Sequence, residues 1–207
     1  MILSIDTTLP LLSLALVEKG SVITAISSRA EGSRNEKLLP AIDWMLAETG
    51  LSMTQIELIA VTRGPGSFTG ARIGLATVQG LAMARAVPVC AMGTLEAAGS
   101  AQAASGSTLV VSEAGRGEFY GAGYRGLDEL LAPTLLTVET LSIEVGRFET
   151  TMRVEELMQT FNLAVLAARR AEEIARAGRL ELYQNLIPIY VRLAEAEVRL
   201  KQKLDAG

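Results

Sequence analysis

The chain has 207 residues, of which 49% are hydrophobic, 20% charged and 4% aromatic. That length suits one large domain or two small ones, and the composition excludes a disordered polymer. There is no histidine and a single cysteine, which excludes imidazole bases, Ser-His-Asp and Cys-His catalysis, His-ligated zinc or iron, and an internal disulfide. The 19 Lys and Arg residues against 23 Asp and Glu give a net charge of −4 with neither half basic, so the chain alone is a poor candidate for tight RNA or DNA binding.

Ile2 to Ile5 reads as a buried strand that ends at Asp6-Thr7-Thr8. The opening has no basic leader and meets Asp6 too early for a signal peptide. No apolar run approaches the roughly 18 residues of a membrane span, and a cytoplasmic protein without membrane contact is expected. Leu11 to Glu18 and Ser21 to Ser28 read as two further strands split by the turn signal Lys19-Gly20. A helix follows and ends near Gly50, with Leu38, Leu39, Ile42, Met45 and Leu46 at helical spacing. Pro40 fits its first turn or a kink. Ile56 to Thr62 is a strand, Arg63 to Gly70 a Gly-rich loop, Ala71 to Ala86 a helix of small residues, and Val87 to Ala91 a strand that buries Cys90.

Gly93 to Gly106 is rich in Ala, Gly and Ser and marks a boundary, or a helix plus linker. The opening pattern then returns. Thr108 to Ser112 ends at the acidic Glu113, Gly117 to Arg125 alternates as a strand, and Leu130 to Val138 supplies a third. Strand, acidic turn, strand, turn, strand therefore occurs twice, a sign of internal duplication. Glu155 to Ala177 reads as one helix stopped by Gly178, Leu186 to Leu193 as strand-like, and Ala194 to Leu204 as a terminal helix. The predicted class is α/β: an actin-like (ribonuclease-H-like) duplicated fold of two lobes with mixed β-sheets and flanking helices. The expected lobes are 1–103 and 104–207, with the last helix free to return to the first.

Arg63-Gly64-Pro65-Gly66-Ser67-Phe68-Thr69-Gly70 follows a strand and opens a helix. Its hydroxyls and free helix-start N–H groups could hold an anion. It is neither a Walker A loop nor a dinucleotide fingerprint, and a Gly-rich turn for close packing explains it equally. Gly70 and Gly74 share one helix face, as do Ala76, Gly80 and Ala84. Each mid-helix glycine costs about 1 kcal/mol against alanine, so close approach by this domain's sheet or by another subunit should compensate. Trp44, the only tryptophan, falls off the face of Leu38, Ile42 and Met45, as a contact residue or one tucked under a loop. Asp6 with Thr7-Thr8 suits a phosphate hairpin with a magnesium carboxylate, or a plain turn, and Glu113 sits at the matching strand end. Few glycines follow Gly126 and none are paired, which leaves no adenine seat and argues against an ATPase or sugar kinase.

These residues resemble the TsaB (YeaZ) family, a glycoprotease-like branch of the actin-like ATPase superfamily. Its signature loop is matched by Arg63 to Gly70 with Arg72-Ile73-Gly74, its opening by Ile5-Asp6-Thr7-Thr8, and its first helix by Leu38-Leu39-Pro40. Glu113 to Tyr120 is similar to its Asp-Ala-Arg-Arg-x-Glu-x-Tyr segment, and Pro188 to Arg192 with Glu195-Ala196-Glu197 to its closing segment. Arg34, Glu113 and Gly115 stand where relatives carry His, Asp and Arg, and the region after residue 138 is shorter, so a reduced second lobe is expected.

The resemblance implies a non-catalytic subunit in the formation of threonylcarbamoyladenosine at position 37 of tRNA. TsaD is the metal-holding transferase it pairs with, TsaE an ATPase that docks on the pair, and TsaC the source of activated threonylcarbamoyl-adenylate. ATP and metal would belong to those partners, tRNA would be met only through the complex, and the isolated chain would form a homodimer. The pairing surface would lie on the first two helices, at Leu38, Leu39, Ile42, Trp44, Met45, Arg72, Gly74 and Val78. Asp6, Thr7, Thr8, Ser67, Thr69 and Glu113 would be a vestigial nucleotide site. The alternatives are an actin-like ATPase or kinase using Asp6, Thr8 and Glu113, and a peptidase, for which the histidine and any Ser-Lys pair are missing.

Overall fold

The computed structural model describes residues 1–29, 34–102, 106–180 and 186–192. Strands β1 (Ile2–Asp6), β2 (Leu11–Glu18), β3 (Ser21–Arg29), β4 (Leu58–Thr62) and β5 (Val89–Met92) form one sheet in the order β3-β2-β1-β4-β5. The β1–β2 and β2–β3 pairs are antiparallel, and β1–β4 and β4–β5 are parallel. Central β1 is buried throughout because both faces are covered. Leu3, Ile5, Leu14, Leu16, Ile59 and Val61 point to helices α1 (Arg34–Thr49) and α2 (Phe68–Arg85), while Ile2, Ala15, Val17, Leu58 and Ala60 point the other way. That split is the two-residue period of a strand.

The second sheet holds β6 (Thr108–Gly115), β7 (Glu118–Arg125), β8 (Asp128–Leu136) and β9 (Thr150–Arg153) in the order β8-β7-β6-β9. Its pairings are antiparallel, antiparallel and parallel. The second sheet thus repeats the order and directions of the first four strands of the first sheet, and it has four strands to the first sheet's five. Helices α3 (Thr94–Gly99) and α6 (Leu163–Arg176) lie between the sheets. Leu95, Ala97 and Ala98 share one core with Leu163, Ala167, Ala171, Val110 and Tyr124. The small residues let α6 pack close to β1 and β2. Arg170 is buried there without being left unpaired. It donates to Glu96 at 3.3 Å, to Glu173 at 3.1 Å and to the Gly126 carbonyl at 2.6 Å, so one guanidinium ties α6 to α3 and to the β7–β8 turn.

Several elements depart from expectation. Helix α2 begins at Phe68, three residues before the expected start, because Ser67 Oγ accepts the Gly70 N–H at 3.1 Å and caps it. Pro40 lies inside α1. The expected helix from Glu155 to Ala177 is broken into α5 (Val154–Leu157) and α6. Asn162 ends the break by accepting the Val165 N–H at 3.1 Å, and its amide donates to the Ile26 carbonyl at 2.8 Å. Helix α4 (Val138–Val145), capped by Thr137, and β9 were not expected. Residues 186–192 form no strand: Pro188 offers no N–H, and the Ile189 N–H donates to Arg63 O at 2.7 Å. The terminal helix expected at 194–204 lies outside the described residues.

Candidate functional site

The Gly-rich loop runs from the end of β4 into α2 and is held by its own backbone. The Ser67 N–H donates to Thr8 O at 2.7 Å, and the Thr94 N–H donates to Gly64 O at 2.8 Å. Gly66, at φ 154°, packs on the β1–β2 turn so closely that a Cβ would lie 2.5 Å from Thr8 O. With Gly70 N–H on Ser67 Oγ and Ala71 N–H on Ser67 O, these donors at the helix start are consumed within the protein. Of the donors at the helix start, the Gly70 N–H is thereby engaged by the turn itself.

Asp6 is fully buried and acts as a hub. Its Oδ1 accepts from Thr62 Oγ1 at 2.5 Å, Thr8 Oγ1 at 2.6 Å and Thr8 N at 3.0 Å, while Oδ2 is buried without a hydrogen bond. Thr94 Oγ1 extends the chain, 2.8 Å from Thr8 Oγ1. Burial raises the Asp6 carboxyl above its ordinary value of 3.8, against the pull of the Thr62 and Thr8 hydroxyls and the Thr8 and Leu9 amides. An acid whose folded pKa is raised contributes fully to stability below its unfolded pKa, and that contribution is lost as pH rises through the folded value. Asp6→Asn keeps the accepting oxygen and cannot ionise. In urea denaturation from about pH 4 to 8, the unfolding free energy of the parent should therefore decline with rising pH relative to the variant. Identical pH profiles would contradict the burial effect.

Between the lobes lies a cleft of about 700 Å³ walled by Thr8, Ser67, Ser112, Glu113, Tyr120 and Glu155 among others. Among the described residues, Glu113 and Glu155 are the carboxylates on this wall, and no lysine or arginine lines it. Glu155 Oε1 accepts from Ser112 Oγ at 2.8 Å and from the Glu113 N–H at 2.7 Å, and exposed Glu113 meets Arg153 at 3.4 Å. Of the six residues expected at a vestigial nucleotide site, Thr8, Ser67 and Glu113 face this cleft. Asp6 and Thr7 are buried behind it, the Thr7 hydroxyl donating to Gly70 O at 2.6 Å. Thr69 is exposed on the outer side of α2. Among the described residues no group of three or more carboxylate or thiol side chains could hold a metal ion.

The two helices separate the expected pairing residues by face. Leu38, Ile42, Met45, Gly74 and Val78 are buried, which corrects their assignment to a contact surface: they hold α1 and α2 on the sheet. Leu39, Trp44 and Arg72 point outward, Trp44 56% exposed. Gly74 sits where an added Cβ would collide with Thr7 Oγ1. Gly80 is different. It lies mid-helix and exposed with Ala76, Met83 and Ala84, and a Cβ there would meet nothing within 4 Å.

A cluster missed in the sequence surrounds Arg72. Its guanidinium lies 3.8 Å from the Phe68 ring centroid, its Nε donates to Tyr190 Oη at 3.0 Å, and the two rings are 5.0 Å apart. The Phe68–Arg72 spacing of four residues is visible in the sequence, whereas the arrival of Tyr190 is not.

A family model described as "TsaD: tRNA N6-adenosine threonylcarbamoyltransferase" matches residues 26–159, which include the Gly-rich loop and the second sheet. The chain belongs to the TsaD-like family, among the relatives named TsaB or YeaZ. The TsaB of Haemophilus influenzae, a "tRNA threonylcarbamoyladenosine biosynthesis protein", is 40% identical over 96 residues, 46% of this chain. The match spans only 40% of that relative's length. The TsaB of Bacillus subtilis, described in the same words, is 28% identical over 221 residues and is matched over 96% of both chains. The YeaZ structure from Pseudomonas aeruginosa superposes with a TM-score of 0.72 at 22% identity, over 91% of this chain and 98% of the other. The YeaZ structure and this chain share one fold, whose first sheet has the actin-like, ribonuclease-H-like strand order β3-β2-β1-β4-β5. Among the described residues no helix is long and apolar enough to cross a membrane.

Proposed function

We propose that this chain works in the biosynthesis of threonylcarbamoyladenosine in tRNA as the non-catalytic partner that pairs with and activates a TsaD-type transferase. The observation that carries the pairing is Gly80. A mid-helix glycine costs about 1 kcal/mol against alanine, and nothing among the described residues requires its missing side chain. A second protein packing its backbone on the Ala76-Gly80-Ala84 side of α2 accounts for it. Exposed Met83 on the same helix, and Leu39 and Trp44 on neighbouring α1, supply apolar contact area.

A non-catalytic role is supported by the absence of histidine and by the cleft. Among the described residues its wall carries carboxylates and no lysine or arginine, and the Ser67 and Gly70 N–H groups of the Gly-rich loop are engaged by Thr8 O and Ser67 Oγ, so a polyphosphate would meet repulsion. The lobes divide at about residue 103 in this reading. A TsaE-type ATPase docks on the pair, a TsaC-type enzyme supplies the activated group, and the acidic chain meets tRNA only through its partners. Without the transferase, the same face closes on a second copy.

Light scattering after size exclusion tests this, on the chain alone and mixed with the TsaD-type protein of the same source. A mixed complex is expected, and its absence would overturn the proposal. Trp44→Ala should weaken the complex by about 2 kcal/mol if the indole is a central anchor. Because Trp44 is the only tryptophan in this chain, a blue shift of its emission on pairing checks the same point, and an unshifted spectrum would place it outside the interface.

A further inference from the structure

Residues 186–192 touch both lobes. Ile189 N–H donates to Arg63 O beside the Gly-rich loop, Tyr190 packs on Phe68 and Arg72 of α2, and Arg192 reaches the β6–β7 hairpin. There its Nη1 donates to Ala114 O at 3.1 Å, and its Nη2 pairs with the Glu118 carboxylate. With no strand in this segment, its position is set by these anchors together with Leu186 packed on the first core and Ile189 against Gly64 and Gly93.

The hairpin it holds is irregular towards its tip. Its pairing loses register between Glu113 and Gly115, and Gly115, Arg116 and Gly117 all have positive φ, at 77°, 59° and 75°. Glu113, Ala114 and Gly115 of that hairpin form one wall of the cleft.

We infer that residues 186–192 are a strap coupling the outer face of α2 to this hairpin, so that an event at Arg72 is transmitted to Ala114–Glu118. Arg72 is exposed and offers its guanidinium outward. A carboxylate from a protein docked on α2 would compete with Tyr190 Oη for the Arg72 Nε–H. Tyr190 would then be released, and with it the neighbouring Arg192 clamp on the hairpin. Docking on α2 would in this way loosen the cleft wall. The physiological role rests on the docking reading above, whereas the coupling itself is a property of this chain alone.

The test is amide hydrogen exchange on the whole chain without any partner, read by mass spectrometry. Arg72→Ala should speed exchange in residues 114–119 about two- to five-fold, the effect of losing one exposed cation–π contact. Arg192→Ala should do at least as much, and the double variant no more than Arg192→Ala. Tyr190→Phe, which keeps the ring and loses the acceptor oxygen, should fall between parent and Arg72→Ala. Exchange in β1 and β4 should stay unchanged. If only Arg192→Ala has an effect, the strap clamps without coupling, and the inference fails. It fails equally if neither variant has an effect, or if exchange rises uniformly through the central strands. Loss of the docking reading would appear separately, as an absent mixed complex in light scattering.

Discussion

Gly80→Leu should leave the isolated chain folded, about 0.8 kcal/mol more stable in urea, and unable to pair. The gain comes from helix propensity, since the new side chain enters open space and displaces nothing in this chain. The loss comes from the partner. A leucine inserted where two backbones approach overpacks the contact by about 3 kcal/mol, which is over a hundredfold in Kd. Gly80→Ala should stabilise by about 1 kcal/mol with a smaller loss of affinity. Light scattering and denaturation on the same preparations decide the matter. Unchanged pairing in Gly80→Leu would remove the α2 stripe from the interface.

Gly74→Leu, on the same helix, should do the opposite. Gly74 is buried against the end of β1, where a Cβ already collides with Thr7 Oγ1. That hydroxyl is itself engaged, donating to Gly70 O at 2.6 Å. The expected destabilisation is about 3 kcal/mol, and any loss of pairing follows from the loss of fold. A double-mutant cycle separates this collision from a general packing defect. Thr7→Ala removes the obstructing oxygen, so Thr7→Ala with Gly74→Ala should be more stable than the sum of the single changes by about 1 kcal/mol or more. Strict additivity would show that Thr7 is not what Gly74 accommodates.

Strands β1, β2, β4 and β5 were legible because they are buried in near-continuous apolar runs, and the exposed edge strand β3 from the turn signal Lys19-Gly20 before it. Leu11 to Glu18 matches the observed β2 at both ends. The duplication was legible from its three leading strands, and its fourth was not. Thr150–Arg153 is a four-residue strand with two exposed residues, too short and too polar to show a period. The break between α5 and α6 was hidden for a related reason. Residues 155–177 keep a helical look on either side of Phe161-Asn162, and the cap on Val165 together with the bond to Ile26 decides where the chain turns.

In the site, the sequence named residue types without their direction. Asp6, Thr7 and Thr8 were singled out as cleft residues, yet Thr62 and Gly70 take Asp6 and Thr7 into the interior and leave Thr8 to line the cleft. Arg72 is exposed on the outer side of α2, and its ring partner Tyr190 lies 118 residues away.

What the sequence determined by itself is therefore the local grammar: alternation, caps, turns, the glycine loop, and the absence of histidine that removes whole classes of chemistry. Tertiary structure alone decided the meaning of the two glycines at 74 and 80. Both interrupt the same helix at similar propensity cost. One is required by a threonine hydroxyl in the next layer, and the other by nothing among the described residues. Spacing fixes the angle between two side chains about a helix axis, but only packing against the sheet fixes which angle is inside.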